Sequence, residues 1–255
     1  MIGNRLEYQR MYETERKLWW YQALHGKVLN RIQKHFGGEK RTLKILDAAC
    51  GTGGLLSFLN ENSYSNLHGF DYSQDAIGFS NERGLNVVSG DLRNVDAFEP
   101  GETFDVIICN DALYFLTDAE IVRALSAFKD RLNPNGLIII NIHAFEAFSG
   151  THDLAVGSSR RFRLGQFEAF SKAAGLRIDY STYWPFALSL PILLVRQWQK
   201  YRIRNQKVNV NELDSDVGYP GDVVNTILKA VTKTESVLFG SAPFGSSLFM
   251  TMRPD

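Results

Sequence analysis

The chain has 255 residues, of which 44% are hydrophobic and 12% aromatic, and its 28 basic and 28 acidic side chains give a formal net charge of +0. This length suits one large α/β domain, or one domain with an elaborated cap, and it is sufficient to bury a substantial core. A neutral chain has no overall field that attracts nucleic acid or an anionic membrane, so the composition argues against a nucleic-acid-binding protein.

Cysteine usage and the longest apolar run indicate the compartment. Cys50 and Cys109 are the two cysteines, and both lie in or beside apolar runs, which favours a reduced, cytoplasmic protein over a disulfide-stabilised one. The N-terminal segment MIGNRLEYQRMYETERK is polar and lacks the apolar core of a signal peptide. The longest apolar stretch, Trp184–Val195, is interrupted by Pro185 and Pro191 and is shorter than the ~20 residues that cross a bilayer, so we expect no transmembrane segment.

The chain begins with a helical pattern. Aromatic and apolar side chains recur at helical spacing over residues 5–36, which predicts a helix there. We expect an N-terminal helical cap over residues 1–38 and a core over 39–255, with cap insertions at about 144–173 and 186–240.

From about residue 40 to 142, short β-rich runs alternate with amphipathic helical stretches. The predicted strands are Leu43–Asp47, Asn66–Phe70, Asn86–Ser89, Phe104–Asn110 and Gly136–Ile142. The predicted helices between them are Gly54–Asn60, Gln74–Arg83 and Asp118–Leu132. This alternation predicts a parallel sheet with helices on both faces, and the almost continuously apolar runs DVIIC and LIIINI suit strands that are covered on both sides.

Beyond residue 142 the pattern becomes irregular. We expect residues 144–173 to be loop-rich, followed by a sixth strand over Leu176–Trp184, helices over Leu188–Arg204 and Val223–Leu238, and a seventh strand over Ser246–Met252. The predicted fold is therefore α/β and Rossmann-like, a seven-stranded, mostly parallel sheet with helices on both faces and a helical cap.

The glycine loop after the first strand restricts the nucleotide that it can bind. The sequence LDAACGTGG over residues 46–54 supplies Gly51 and Gly53, but Leu56 stands where a dinucleotide-binding loop has its third glycine. Asp47 would repel a pyrophosphate and would suit a ligand that carries an ammonium or sulfonium group. No Gly-Lys-Ser/Thr follows, which excludes a Walker loop.

The motif D-A-A-C-G-T-G-G resembles the first motif of the class I S-adenosylmethionine (SAM)-dependent methyltransferases. The resemblance implies that the loop lies under the methionine part of SAM, with Asp47 close to its amino end. The residues implied to bind the cofactor here are Asp47, Ala48, Ala49, Cys50, Gly51 and Gly53.

Four later motifs follow in the family's order. HGFDYS ends the second strand in Asp71, about 20 residues beyond Gly51, where such folds bind ribose, and Tyr72 is placed to cover the adenine. In VVSGDLRNV, the resemblance implies that Asp91 accepts a hydrogen bond from the adenine amino group and that the Leu92 N–H meets a ring nitrogen.

The fourth and fifth strands complete this likeness. FDVIICNDALYFL matches the fourth strand and its exit, with Asn110 and Asp111 facing SAM, and DRLNPNGLIII matches the turn into the fifth strand. Many relatives read D-V-L-E-H after the fourth strand, whereas this chain has Tyr114 and Phe115 in place of the acid and histidine. This departure predicts a more apolar floor near the reacting methyl group.

The N-terminal segment is similar to that of a bacterial subset of the family, which has a glutamate followed by H-W-W-F-x-x-R-R. The matching positions are Glu15, Trp19, Trp20 and Tyr21, and the departures are Leu18, Leu24 and His25. If an arginine in that subset helps to hold the SAM carboxylate, His25 or a tyrosine hydroxyl would have to replace it here.

Proton removal from the methyl acceptor suits a histidine, whose ordinary pKa is ~6.5. His152 is our first candidate for this base and His143 the second, with Asp153 or a separate acid orienting the ring. The alternative is that His152 and Asp153 only fix the loop, with Arg160 and Arg161 as ion-pair partners. The arginines have a second interpretation, as a clamp for a carboxylate or phosphate of the substrate.

Aromatic side chains from three regions could line an apolar acceptor pocket, although aromatics at helical spacing are often ordinary core. The candidates are Trp19, Trp20, Tyr21, Tyr114, Phe115, Phe145 and Phe148. The sequence suggests no metal site.

We therefore expect a cytoplasmic class I SAM-dependent methyltransferase that releases S-adenosylhomocysteine. Its expected acceptor is an oxygen or nitrogen, less readily a carbon, of a small, largely apolar molecule such as a secondary metabolite. The alternatives are a SAM-binding enzyme that catalyses a cyclisation or decarboxylation, a non-catalytic SAM-binding partner subunit and, least favoured, an NAD-linked oxidoreductase. Basic residues after Trp184–Val195 leave open an interfacial contact with lipid through residues 184–204; the alternative is a cap helix over an apolar substrate pocket.

Overall fold

A computed structural model describes residues 5–37, 42–205 and 218–255 of the chain. Within these residues seven strands form one sheet. The strands are β1 (Ile45–Ala48), β2 (Leu67–Asp71), β3 (Val87–Ser89), β4 (Phe104–Asn110), β5 (Leu132–His143), β6 (Leu176–Trp184) and β7 (Ser247–Pro254). The boundary that we predicted at residue 38 lies outside the described residues.

The strand order is β3-β2-β1-β4-β5-β7-β6. The pairings of β1 with β2 and β4, of β2 with β3 and of β4 with β5 are parallel, whereas β7 runs antiparallel to both β5 and β6. The order reverses between β1 and β4, and ligands bind at the carboxyl ends of the strands beside such a reversal. The predicted seven-stranded, mostly parallel sheet is confirmed.

Helices pack on both faces of this sheet, as predicted. They are α1 (Arg5–Thr14), α2 (Trp19–Phe36), α3 (Gly54–Glu61), α4 (Gln74–Glu82), α5 (Asp118–Asp130), α6 (Thr151–Val156), α7 (Leu164–Ala173), α8 (Ser189–Asn205) and α9 (Asp222–Leu238). Strand β4 shows the arrangement, because Val106 and Ile108 join the core with α2 and α3, while Ile107 and Cys109 join the core with α5 and α7. Alternate side chains of a strand point to opposite faces, so a continuously apolar strand is buried on both.

The N-terminal segment differs from our prediction of a helix over residues 5–36. It forms two helices, α1 and α2, separated by a short turn that contains Glu15. Glu15 is 4% exposed and its carboxylate hydrogen-bonds inward to Thr52 and Arg83. Asn225 of α9 caps the start of α2, since its Oδ1 accepts from the Trp19 N–H at 2.7 Å. The contacts that divide this segment come from distant parts of the chain.

The segment 144–173 is also more ordered than the loop-rich region that we predicted. It contains the helices α6 and α7 and a 3-10 turn over Glu146–Phe148. Helix α6 begins where Asp153 Oδ2 accepts from the Gly150 N–H at 2.9 Å. No helix among the described residues is both long enough and apolar enough to cross a membrane.

Candidate functional site

A cavity of about 470 Å³ opens at the carboxyl ends of β1, β2, β4 and β5, under the helices α1, α2 and α8. Most of the residues that the sequence assigned to the site lie on its wall. They are Trp19, Trp20, Tyr21, His25, Asp47, Ala49, Cys50, Gly51, Asp71, Tyr72, Asp91, Leu92, Asn110, Asp111, Tyr114, Phe115, His143, His152 and Arg161. The fold thus brings together side chains that are far apart in the sequence.

The glycine loop forms one wall, held by backbone hydrogen bonds to its neighbours. Gly51 has φ +57°, a conformation that L side chains rarely adopt, and a Cβ at this position would lie 3.3 Å from Met11 Sδ. The Gly51 N–H donates to Asp71 Oδ2 at 2.9 Å, and its carbonyl accepts from Ser80 Oγ at 2.9 Å. The loop therefore has a fixed shape and presents backbone rather than side chain to the cavity.

Asp71 is the last residue of β2, and Asp91 follows β3. Both carboxylates contact nearby backbone as well as the cavity. Asp71 Oδ1 accepts from the Ser73 N–H at 2.8 Å, and Asp91 Oδ1 accepts from the Arg93 N–H at 2.8 Å. Each carboxylate oxygen has a second lone-pair site, so these contacts leave capacity for a hydroxyl or amino group of a ligand.

The end of β4 presents acceptor atoms to the cavity. Asn110 Oδ1 and Asp111 Oδ1 are buried and have no hydrogen-bond partner among the described residues. The other carboxylate oxygen of Asp111 accepts from Asn141 Nδ2 at 2.8 Å, which fixes the group, and Asp111 has φ +48°. Buried polar atoms are normally satisfied in a protein, so two such acceptors beside a cavity indicate that a ligand supplies the donors.

Burial raises the pKa of two acids in this wall. The pKa of Asp47 rises to about 8 because the side chain is buried and because Asp71 and Glu15 lie nearby. Burial raises the pKa of Asp111 to about 7 against the opposing hydrogen bond from Asn141. A positively charged ligand would lower both values by favouring the carboxylates. These acceptor oxygens suit a cation, and they would disfavour a pyrophosphate.

A buried ion cluster ties the N-terminal segment to the glycine loop. Glu15 Oε1 lies 2.6 Å from Arg83 Nη2 and accepts from the Thr52 hydroxyl, while Arg83 Nε donates to the Thr52 carbonyl at 2.8 Å. An alanine Cβ at Gly54 would lie 2.2 Å from the carboxyl carbon of Glu15, so glycine is required there. The resemblance included Glu15, but no sequence pattern indicated its partners.

Two histidines line the same cavity, one of them beside the end of β4. His143 is 6% exposed and stacks on Tyr114 at a ring distance of 4.9 Å, with the ring of His152 at 5.5 Å. His143 Nδ1 lies 3.2 Å from Ser158 Oγ, and its Nε2 lies 3.8 Å from Asp111 Oδ1. Burial, reinforced by Arg161 and His152, lowers the pKa of His143 well below its ordinary value, so the ring is neutral at pH 7.

Asp153, which one of our interpretations paired with His152, is bound by Arg161. Its two oxygens accept from Arg161 Nε and Nη2 at 2.8 and 2.9 Å, and Arg161 Nη1 donates to the carbonyls of Ala144 and Ser246. Burial alone would raise the pKa of Asp153, but the Arg161 hydrogen bonds and charge lower it. This pair joins α6 to the end of β5 and the start of β7, which is the structural alternative that we had left open.

Helix α2 contributes an aromatic wall. Trp20 stacks on Trp184 at 5.3 Å, and His25 lies between Tyr21 and Phe58 at ring distances of 6.2 and 5.5 Å. Burial, followed by the charges of Arg16 and Arg83, lowers the pKa of His25 to about 3, so this ring is neutral at physiological pH.

Three residues that we had assigned to the substrate pocket lie elsewhere. Phe145 and Phe148 each contact Phe244 at 4.9 Å, Phe148 is fully buried, and neither lines the cavity. Arg160 forms an ion pair with Asp118 and also lies off the cavity wall. The two rings pack in the core cluster that also contains Tyr114, and the arginine has a surface partner, so these three assignments stay predictions.

Two cofactor-site positions support the wall from behind. Ala48 is fully buried at the end of β1, and Gly53 precedes α3 with φ +77°; neither is on the cavity surface. Their contribution is to the shape of the loop.

One interpretation of residues 184–204 was a cap helix over an apolar pocket, but the sequence did not single out the residues that line the wall. Helix α8 supplies Pro191, Ile192 and Val195, with Leu188 before it, and α9 supplies Leu228. Apolar residues of a cap helix do not differ in sequence from core residues, so no motif marked them. Among the described residues, no group of three or more His, Cys, Asp or Glu side chains is arranged to hold a metal ion.

Comparison with known proteins agrees with this geometry. Residues 45–136 match the family model described as a methyltransferase domain. A ubiquinone biosynthesis O-methyltransferase from Rhizobium etli is 28% identical over 144 residues, which cover 48% of this chain and 57% of that protein. Trans-aconitate 2-methyltransferase from Mycobacterium tuberculosis is 27% identical over 106 residues, 41% of this chain and 39% of that protein. The match thus spans between about two fifths and three fifths of these curated relatives.

A solved structure extends the likeness in fold to most of the chain. The S-adenosylmethionine-dependent methyltransferase from Clostridium acetobutylicum superposes with a TM-score of 0.55 over 92% of both chains, at 14% identity. The strand order, the motifs at successive strand ends and the matched segment agree. Residues 45–136 therefore match a methyltransferase domain, and the fold of the chain is that of the class I S-adenosylmethionine-dependent methyltransferases.

Proposed function

We propose that this protein transfers a methyl group from SAM to an oxygen or nitrogen of a small, largely apolar molecule. The observation that carries the proposal is the cavity itself. Part of its wall presents Asp47 and the buried oxygens of Asn110 and Asp111 that have no hydrogen-bond partner, and other parts consist of aromatic and aliphatic side chains and two histidines. Such a cavity suits a cationic methyl donor and an apolar acceptor side by side.

The residues present fit SAM. Asp47 and the two oxygens at the end of β4 would bind its ammonium group, Asp71 its ribose hydroxyls and Asp91 its adenine amino group, with Tyr72 over the ring. Gly51 leaves room for the methionine part. When bound, SAM supplies a sulfonium whose methyl group is activated for an in-line displacement.

The chain's own contribution to such a transfer is positioning and the exclusion of water. Trp20 and Tyr21 close the cavity from the side of α2, and Ile192 and Val195 close it from the side of α8. The aromatic side chains of this wall are uncharged. An acceptor that binds beside the sulfonium would therefore have apolar neighbours. A polar group of the acceptor would find few hydrogen-bond partners in this part of the cavity, which supports a largely apolar substrate.

A hydroxyl or ammonium acceptor must also lose a proton. His152 and His143 both line the cavity, and both remain our candidates for the base. Asp111 lies beside one of them, since its carboxylate oxygen Oδ1 is 3.8 Å from His143 Nε2. His143 and Asp111 can act as one unit, in which the proton taken by the ring is stabilised by the carboxylate.

Calorimetry and product analysis test this proposal. SAM should bind and NAD should not; absence of heat with SAM would refute the SAM site. Incubation with SAM and candidate apolar phenols, amines and carboxylic acids should release S-adenosylhomocysteine together with a product that is heavier by one methyl group. A product formed without S-adenosylhomocysteine would instead support the cyclisation or decarboxylation alternative, and tight SAM binding without any product would support a non-catalytic subunit.

The base is tested with His152→Gln, His143→Gln and Asp111→Asn, measured on an accepted substrate. General-base catalysis contributes about 10²–10⁴-fold in rate, so loss of the base should lower kcat by this amount and abolish the acidic limb of the pH profile. A variant that keeps both kcat and the pH profile eliminates its residue as the base. Measured SAM affinity separates a defect in proton transfer from one in cofactor binding.

A further inference from the structure

Helix α8 has an apolar face that points away from the cavity. Leu190, Leu194, Trp198 and Tyr201 are all more than half exposed, with Leu190 at 67% and Trp198 at 58%. Their spacing of four, four and three residues places them along one side of the helix. A soluble surface seldom presents a row of large apolar side chains without a partner.

The adjoining face of the same helix lines the cavity. Pro191, Ile192 and Val195 are on the cavity wall, and Val195 is also half exposed, so it lies at the rim. Because one face covers the cavity and the next faces outward, the first three turns of α8 are apolar over most of their circumference. The exposed row is therefore not needed to close the cavity.

The charge of α8 indicates what its outer face contacts. Residues 189–205 contain four basic residues and no acidic residue, although the whole chain has a formal net charge of +0. Arg202 lies over the Trp198 ring at 4.9 Å, and Lys200 donates to the carbonyls of Glu146 and Ala147. Aromatic rings with basic side chains beside an apolar row are the composition of a helix that lies in a membrane interface.

We propose that the outer face of α8, defined by Leu190, Leu194, Trp198 and Tyr201, docks on an anionic lipid surface. The row would enter the boundary between headgroups and acyl chains, and Arg202, beside Trp198, would contact lipid phosphates. A second copy of this chain is a poorer partner, because two α8 helices packed through this face would bring like charges together. Docking would also bring the rim at Val195 to the membrane, so that an apolar molecule dissolved there could reach the cavity.

Vesicle sedimentation with the full chain tests this proposal, and it needs neither SAM nor an acceptor, so its outcome is independent of the proposed function. The protein should partition onto phosphatidylcholine vesicles that contain phosphatidylglycerol, more weakly onto phosphatidylcholine alone, and less at high salt. Leu194→Glu combined with Trp198→Glu should lower partition at least tenfold, since each buried methylene contributes about fourfold. Arg202→Gln should lower it about fivefold on the anionic vesicles only.

Leu6→Glu is the matched control, because Leu6 is 66% exposed on α1, a helix that packs against α4 rather than α8. Its partition should equal that of the wild type. The proposal is overturned if the wild type stays in the supernatant with both vesicle types, or if the α8 double variant partitions as well as the Leu6 variant. Sedimentation velocity without lipid supplies the remaining outcome: if the wild type self-associates and only the α8 variants dissociate it, while vesicles bind none of them, the face contacts a second copy instead.

Discussion

Replacing Asp47 with asparagine separates the electrostatic function of this side chain from its shape. Asp47 is 2% exposed, and burial together with Asp71 and Glu15 raises its pKa to about 8. A carboxyl group with that pKa is about 90% protonated at pH 7. If the ammonium group of SAM binds beside it, the carboxylate becomes the favoured form, and binding should release about 0.9 proton from this site at pH 7.

Titration calorimetry in buffers of different ionisation enthalpy measures that proton, because the observed binding enthalpy changes with the buffer in proportion to the protons released. At pH 7 the amino group of SAM is mostly protonated already, so it adds little to the count. SAM affinity should rise between about pH 6 and pH 8, and Asp111, with a pKa of about 7, should contribute a further fraction of a proton. In Asp47→Asn the count should fall by about 0.9 and the pH dependence should weaken.

The raised pKa of Asp47 also affects the free energy of unfolding of the protein without ligand. The folded pKa of Asp47 lies above its unfolded value, so between about pH 4 and pH 8 the folded state binds more protons, and the free energy of unfolding falls as pH rises. Asp47→Asn should reduce this fall, whereas Asp130→Asn, at a side chain that is 66% exposed, should not. Equal proton release by wild type and Asp47→Asn would show that Asp47 does not face the bound cation, and our assignment of this end of the cavity would fail.

Three further predictions concern the glycine loop and its partners. Gly54→Ala should lower the free energy of unfolding by about 1–3 kcal/mol, since the new Cβ overlaps Glu15. The control Gly78→Ala, in the middle of α4, has open space around the new Cβ and should be neutral or stabilising. Equal free energies of unfolding for the two variants in urea denaturation would contradict this packing. Arg83→Met should cost about 3–5 kcal/mol in the same assay, because it leaves the buried Glu15 carboxyl without its charged partner, and a loss below about 1 kcal/mol would contradict this. Asp71→Ala should weaken SAM binding by about 1.5–3 kcal/mol in calorimetry, and unchanged affinity would reject the ribose assignment.

The cofactor half of the site was predictable because each of its residues lies at the end of a strand. Strand ends follow from local pattern, and the carboxyl ends of parallel strands meet at one edge, so Asp47, Asp71 and Asn110 had to converge once the strands were placed. The sequence did not reveal which oxygens would remain without partners. That property depends on Asn141, which holds one oxygen of Asp111 from the neighbouring strand and leaves the other facing the cavity.

The acceptor half was less predictable because long-range packing decides it. Phe148 is an aromatic residue of the kind that lines apolar pockets. Its ring instead contacts Phe244, almost a hundred positions later, away from the cavity. Asp153 was a plausible companion for its neighbour His152, yet Arg161 occupies both of its oxygens. Adjacent residues on a helix point in different directions, so sequence proximity was a poor guide to the pairing.

The electrostatics of the cavity bear on the direction of the proposed reaction. Asp47, Asp71, Asp111 and Glu15 all have their pKa values raised by burial, and Arg83 neutralises only the last of them at close range. Concentrating acids in one wall costs folding free energy, and a cationic ligand offsets that cost. SAM carries a positive sulfonium, whereas S-adenosylhomocysteine has a neutral sulfur. The acids in this wall therefore attract the cofactor less strongly once the methyl group has left. This difference favours the release of S-adenosylhomocysteine over its retention.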